Sequence, residues 1–439
     1  MLGASASVGH QRWSYAGQPA SPQEAMPIDR VLWVWTGAVT TTTATVVAEI
    51  VRPARLARLT VSTRHPGRPI LTPAETVGPD GVVRFQLTHL APDLDYRYTI
   101  EVDQTTDHSR GSGRFRTMPH GPASFTVAVS SCADTGSSGA VFDAIRAVHP
   151  LLYINAGDLH YGNPRHNDVT TFGDLYRRTL TAPAQAALYR SVPIAYVWDD
   201  HDYGRNNADA AAPTRQAART AYATYVPHYP RSAPGQAVYQ AFTIGRVRFI
   251  LTDNRSERTA ATMLGTRQLA WLQQELTSAS GSHALVVWIN PDPWIAEPAT
   301  HADDWGGYPD ERRAIADVIA SARIHNLIMV SGDAHMIALD DGHHSDYSTA
   351  GGAFFDLDGT QGEPITRALG IRHIICTELE ARGGVLTGRT SSGVQSGEAK
   401  AAGVRASARE HQTTLRNSFG YANGGEDVPF LRRWADRTR

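Results

Sequence analysis

Cysteine is scarce in this sequence: two residues, Cys132 and Cys376, among 439. Two thiols make no disulfide framework, so each is either a buried thiol or one with a chemical job. Long apolar runs are also missing, and nothing approaches the ~20 residues that a bilayer-spanning helix needs. The opening residues, "MLGASASVGHQRWSYAGQPASPQEAMPID", lack an apolar core and a twin arginine. They read as a polar lead-in rather than a signal peptide, which points to the cytoplasm as the sequence stands, or to export if this is a processed form. An excess of one charge is absent too: 41 basic against 43 acidic residues leave a formal net charge of −2. Without a basic stripe, nucleic acid is not expected as the main partner. No internal repeat or low-complexity block appears.

What is present is an ordinary globular composition, 41% hydrophobic and 19% charged, ample for more than one packed core. Residues 1–29 form the polar extension. From 30 to 118, β-branched runs such as "TATVVAEI" and "ARLTVST" alternate with turns such as "GPDG", which predicts a small β-sandwich. With Trp33 and Trp35 early and a leucine-proline-tyrosine corner late, this stretch resembles a fibronectin type III-like module. After "MPHGPA" the grammar changes, and apolar runs of five to seven residues alternate with helical patterns such as "GAVFDAIRAVH" and "TRQLAWLQQEL". That alternation predicts a layered α/β core over 122–350.

The ends of those apolar runs carry the chemistry. "FTVAVSS" ends at Cys132, "LLYINAG" at Asp158, and "VPIAYVW" at Asp199, Asp200, His201 and Asp202. "VRFILT" ends at Asp253, "ALVVWI" at Asn290, and "NLIMVSG" at Asp333, with His335 two residues on. Ligands of open α/β sheets bind beyond the carboxyl ends of the strands. A single aspartate there is commonly a turn former or helix cap. Six such ends, rich in oxygen and imidazole donors with one thiol, point to cations. A cation also explains why like charges are crowded in "VWDDHDYGRNN": its positive charge turns their repulsion into stabilisation.

"VAVSSC", "NAGDLHY", "VWDDHDYGRNN", "LTDNRSER", "DDWGGYPDERR" and "VSGDAH" occur in an order that resembles PhoD-type alkaline phosphatases and their phosphodiesterase relatives among the calcineurin-like metallophosphoesterases. The resemblance covers about residues 30–350. It implies that Asp158 bridges two metal ions and that Cys132, Tyr161 and His335 complete the shell of an iron-like metal. It implies Asp200 and Asp333 as ligands of a second metal, calcium in PhoD-type enzymes, and His201 beside the scissile phosphate as transition-state donor or general acid. Asp202 would hold His201 in orientation, Asp199 would be a support, and Arg205, Asn206 and Asn207 would contact phosphate or the metal-bound water. The superfamily's fourth-motif histidine is replaced by Asn290 as a metal ligand, an oxygen-rich shell that favours calcium, magnesium or manganese there over zinc. His160 is an extra imidazole, either a ligand or a satisfied loop residue. The implied reaction is in-line attack of a metal-activated water on a phosphate ester.

"FFDLDGT" at 354–360 opens a second likeness, to haloacid dehalogenase-type phosphatases of the phosphoserine-phosphatase-like kind. Asp356 and Asp358, then Lys400 and Asp427, match the nucleophile, acid/base, lysine and magnesium positions. The cap and the Ser/Thr motif are absent, so residues 351–439 read as a degenerate or fused remnant packed on the core. The expected architecture is thus α/β: an N-terminal β-sandwich, a four-layer α/β/β/α metallophosphoesterase core and a C-terminal α/β segment. The expected function is metal-dependent hydrolysis of small phosphate esters, with two or more ions, Fe with Ca or else Mn, Mg or Zn. The alternatives are a phospholipase D-like or nucleotide diesterase on the same site, or a non-catalytic binding protein.

Overall fold

The computed structural model describes residues 29–63, 69–231, 237–296 and 298–335, and the backbone of 371–378. Its first part is all β: β1 (Val31–Gly37), β2 (Ala44–Ile50), β3 (Leu56–Thr63), β4 (Ile70–Leu71), β5 (Glu75–Thr76), β6 (Val82–Leu87), β7 (Asp95–Val102) and β8 (Thr105–Arg116). Period-two burial accounts for these strands: Tyr96, Tyr98, Ile100 and Val102 point inward from β7 while their neighbours face out. β1, β2 and β6 lie side by side, and β4, β3, β7 and β8 form a second sheet with β5 attached to β3.

The second part runs β9 (Phe125–Ser131), α1 (Ala140–Ala147), β10 (Leu152–Asn155), α2 (Val169–Leu180), α3 (Pro183–Ser191), β11 (Ile194–Tyr196), α4 (Asp200–Tyr203) and α5 (Arg215–Tyr225). It continues with β12 (Gln240–Ile244), β13 (Val247–Leu251), α6 (Gly265–Ser282), β14 (Leu285–Ile289), α7 (Pro309–Ser321), β15 (Leu327–Val330) and β16 (Ile371–Glu378). β9, β10 and β11 are parallel, with Ser130, Asn155 and Tyr196 in register. β13, β14 and β15 are parallel too, with Leu251, Ile289 and Val330 in register. Register therefore brings the carboxyl ends of all six strands level at one edge of each sheet.

Alternation along the second sheet splits its side chains between two cores. Phe249, Leu251, Val287, Ile289 and Val330 join the cluster shared with β9, β10 and β11. Ile250, Val286, Trp288 and Leu327 face the other way, against Leu272 and Leu276 of α6 and Ile315 and Ile319 of α7. With α1, α2 and α3 on the first sheet, the four layers read from the sequence are present.

The β-rich part shares its core with the layered part. β1 pairs in parallel with β11 at Gly37 and Ile194, so β1, β2 and β6 extend the first sheet. A side chain at position 37 would overlap backbone oxygens of Ile194 and Pro227, so glycine is required at this join. Trp35 Nε1 donates to the Tyr225 carbonyl at 2.9 Å, and buried Glu49 accepts from Trp33 Nε1 at 2.6 Å and from Arg177 at 2.7 Å. β16 lies on the far edge, parallel to β9. The remainder of the 351–439 segment, with Asp356, Asp358, Lys400 and Asp427, falls outside the described residues, as do residues 1–28.

Candidate metal centre

The side chains that matter sit in tight turns just beyond the strand ends. Cys132, Asp158, Asp333 and His335 all have left-handed backbones, with φ of 60°, 52°, 62° and 51°. Such conformations are unfavourable for residues with a Cβ and cluster where function demands them. Glycines let these turns interlock. A Cβ on Gly157 would stand 2.5 Å from the Asp199 Cβ, and one on Gly332 would stand 2.7 Å from the Ser131 Cβ. The turns are also tied by backbone bonds: Cys132 N donates to Gly157 O at 3.2 Å and Ala133 N to Asp158 O at 2.9 Å.

Donor atoms converge in sets that share members. Cys132, Asp158 and His335 each place a ligand atom within 4.8 Å of the others. So do Asp158, Asp200 and His201, and also Asp199, Asp200 and Asp333. Tyr161 Oη lies 2.6 Å from His335 Nε2, and the Tyr161 ring is centred 4.4 Å from the His201 ring. The thiol and the His335 imidazole thus share one set with Asp158, and Asp200 and the His201 imidazole share another.

The electrostatics show a site short of positive charge. Burial, reinforced by neighbouring carboxylates, pushes Asp158 and Asp199 well above the usual carboxylate range, and it lifts Asp333 to about 7. The Tyr161 phenol is pushed up by burial and by Asp158 and Cys132 beside it. Asp158 Oδ2 and Asp199 Oδ2 are buried without a hydrogen-bond donor. A dry carboxylate oxygen lacking a donor is costly. The donor chemistry, the orphaned oxygens and the mutual repulsion all suit bound cations.

His201 has a fixed tautomer. Asn163 Nδ2 donates to Tyr161 O at 3.3 Å, which turns Asn163 Oδ1 toward His201 Nδ1 at 2.7 Å. Nδ1 therefore carries the hydrogen, and Nε2 is left facing Asp200 Oδ1 at 3.8 Å. Burial lowers the His201 pKa, with Asp200 partly opposing it. Asp200 accepts from His201 N at 2.7 Å and from Asn207 N at 2.6 Å. Arg205 and Asn206 stand exposed on the turn that follows α4.

Two expectations require correction. Asp202 makes no bond to the His201 ring: its oxygens accept from His160 N at 3.1 Å, Asp199 N at 3.1 Å and Tyr196 Oη at 2.8 Å. Successive residues of a helical turn point about 100° apart, so residue 202 faces the core when 201 faces the site. Asn290 Oδ1 already accepts from Asn254 Nδ2 at 2.7 Å and Trp305 Nε1 at 2.9 Å. An indole can only donate, so both lone pairs of this oxygen are taken by protein donors and Asn290 is not placed as a ligand. His160 is fully buried and neutral, its pKa lowered to about 4 by burial, with Nδ1 accepting from Gly162 N.

Two residues went unread in the sequence. Asn163 is one, in the turn after "GDLHY". The other is Arg255, fully buried, which reaches Asp199 at 2.5 Å, Asp292 at 2.8 Å and Asp303 at 2.9 Å. Arg255 lies inside the quoted motif "LTDNRSER", but only the fold shows which carboxylates it meets.

A family model described as PhoD-like phosphatase matches residues 153–360, and one described as haloacid dehalogenase-like hydrolase matches 362–432. Alkaline phosphatase D of Bacillus subtilis (strain 168) is 26% identical over 217 residues, 40% of this chain and 37% of that protein. An uncharacterized protein of Mycobacterium tuberculosis (strain ATCC 25618 / H37Rv) is 29% identical over 221 residues, 44% of this chain and 39% of that protein. The chain thus spans about two fifths of the length of the curated relatives it matches. Among solved structures, one of PhoD superposes with a TM-score of 0.62 at 19% identity, covering 70% of this chain and 72% of that one. A purple acid phosphatase from yellow lupin seeds superposes with a TM-score of 0.50 at 14% identity, covering 70% and 59%. The fold is the one these metallophosphoesterases share.

Proposed function

From the likeness to PhoD-like phosphatases and the geometry above, we propose that the chain is a metal-dependent hydrolase of phosphoric mono- or diesters. The observation that carries this reading is Asp158: its carboxylate belongs to a soft-and-hard donor set with Cys132 and His335 and also to an oxygen-rich set with Asp200. Cys132, Asp158, Tyr161 and His335 suit a ferric ion, and Asp158, Asp200 and Asp333 suit calcium, magnesium or manganese. Cations held there supply the charge that acidifies water and offsets the phosphoryl oxygens.

The protein's own groups do the rest. Asn163 keeps the His201 proton on Nδ1, so Nε2 faces the reacting oxygens, as acceptor in the neutral ring and as donor once protonated. The Tyr161 ring against His201 keeps water from one face of the imidazole. Arg205 and Asn206, exposed at the mouth, are the groups available to a phosphate anion. Elemental analysis of the purified chain, combined with turnover of paired aryl phosphate mono- and diesters, tests the proposal. Two metals per chain and a His201→Ala loss of about a hundredfold or more are expected. Full turnover without metal, or in His201→Ala, would sink it.

A further inference from the structure

Asp199 behaves unlike a supporting residue. Asp202, which does support, uses both oxygens on protein donors. Asp199 is 1% exposed, places Oδ1 on Arg255 Nε, and leaves Oδ2 buried with no donor. An oxygen of Asp199 lies within 4.8 Å of ligand oxygens of both Asp200 and Asp333. Three crowded carboxylates repel one another, and although the Asp199 side chain caps α4 at Asp202 N, its Oδ2 is left without a partner. The partner whose chemistry fits is a cation. Nearby backbone makes room for this arrangement, because a side chain at Gly157 would collide with the Asp199 Cβ.

We propose that Asp199 is itself a ligand of the second cation, joining Asp158, Asp200 and Asp333, and that Arg255 is its positioning residue. Arg255 is suited to the task because its own guanidinium is pinned by Asp292 and Asp303. It fixes the Asp199 rotamer through one oxygen and leaves the other for the ion, much as outer hydrogen bonds orient metal ligands elsewhere. A shell of four carboxylates selects a hard divalent ion, Ca²⁺ or Mn²⁺, over zinc. The inference rests on the two-cation reading above.

Asp199→Asn tests it, since the amide oxygen still accepts from Arg255 while the NH₂ offers no lone pair to a metal. Calorimetric titration of the chelator-treated full chain with Ca²⁺ and Mn²⁺ is expected to show a Kd weakened about tenfold or more, with iron content unchanged. A Kd within twofold of wild type, with only the metal-free melting temperature lowered, overturns the proposal. Wild-type crystals grown with Mn²⁺ decide the matter should the variant fail to fold. An anomalous peak within about 2.6 Å of Asp199 Oδ2 supports it. A peak at Asp200 and Asp333 that stands clear of Asp199 overturns it. Absence of any bound metal defeats the two-cation reading itself, whereas metal bound away from Asp199 defeats this inference alone.

Discussion

Removing the charge of Asp333 should stabilise the protein when metal is absent and weaken it when metal is present. Burial and the carboxylates of Asp292, Asp303 and Asp200 lift Asp333 from 3.8 to about 7, although Arg255 partly opposes them. Between those values the unfolded chain has lost its proton while the folded chain keeps it, so stability falls as pH rises. At about 1.4 kcal/mol per pH unit, the metal-free fold is penalised by about 1 kcal/mol at pH 4.5 and on the order of 4 kcal/mol at pH 7.5. Asp333→Asn cannot ionise and escapes this penalty. The buried imidazoles of His160 and His228, both depressed to about 4, lose stability in the opposite sense as pH drops from 6.5. Parent and variant share them, so they cancel in the difference. Urea unfolding of chelator-treated protein from pH 4.5 to 7.5 should show the variant gaining on wild type, by on the order of 4 kcal/mol at the upper end. Added Ca²⁺ or Mn²⁺ should narrow the gap at pH 7.5, wild type gaining about 2.7 kcal/mol at a hundred times its Kd, and reverse the order near ten thousand times, where the gain is about 5.5 kcal/mol. A variant less stable than wild type without metal at pH 7.5, or a difference that ignores pH, refutes the reasoning.

Asn163→Ala frees His201 Nδ1 and should lower kcat ten- to a hundredfold with metal content unchanged, as read by aryl phosphate kinetics beside elemental analysis; an unaltered kcat argues against the tautomer lock. Gly157→Ala drives a methyl group into Asp199 and should lower stability by roughly 1–3 kcal/mol, measured by urea unfolding with and without chelator. Glu49→Ala strands the buried Trp33 N–H and leaves Arg177 with Asp174 alone, and should cost roughly 1–3 kcal/mol. Its unfolding should remain a single transition because the β-rich and layered parts share one core, and two separated transitions would contradict that.

Much of the site was legible because strand ends in an α/β sheet share an edge, so Cys132, Asp158, Asp200 and Asp333 could be grouped from the ends of apolar runs alone. Separate contributions to one cation are visible when each comes as a motif. What the runs could not show was direction. Asp202 and His201 are neighbours in sequence and diverge on the helical turn, and Asn290 ends a strand as predicted yet spends its oxygen on Asn254 and Trp305. Asn163 and Arg255 act through partners 38 and 56 residues away, a separation that carries no periodic signal. The β-strands of the first part were readable from alternation, but their merger with the first sheet through β1 rests on a single register contact that no local pattern encodes.

That merger has a consequence for how the chain is made. Residues of β1 leave the ribosome long before Ile194 exists to pair with Gly37, and at roughly 5–20 residues per second the wait is on the order of ten seconds. During it, β1 is paired with β2 alone, and its outer edge stands unpaired. Synthesis is therefore expected to lay down β1–β2–β6 and β9–β10 as separate pieces, which β11 joins when it arrives between β10 and β1. Nascent chains stalled before residue 194 should already protect β2 amides from exchange, and those of β1 that face β11 should gain protection only in chains long enough to supply it.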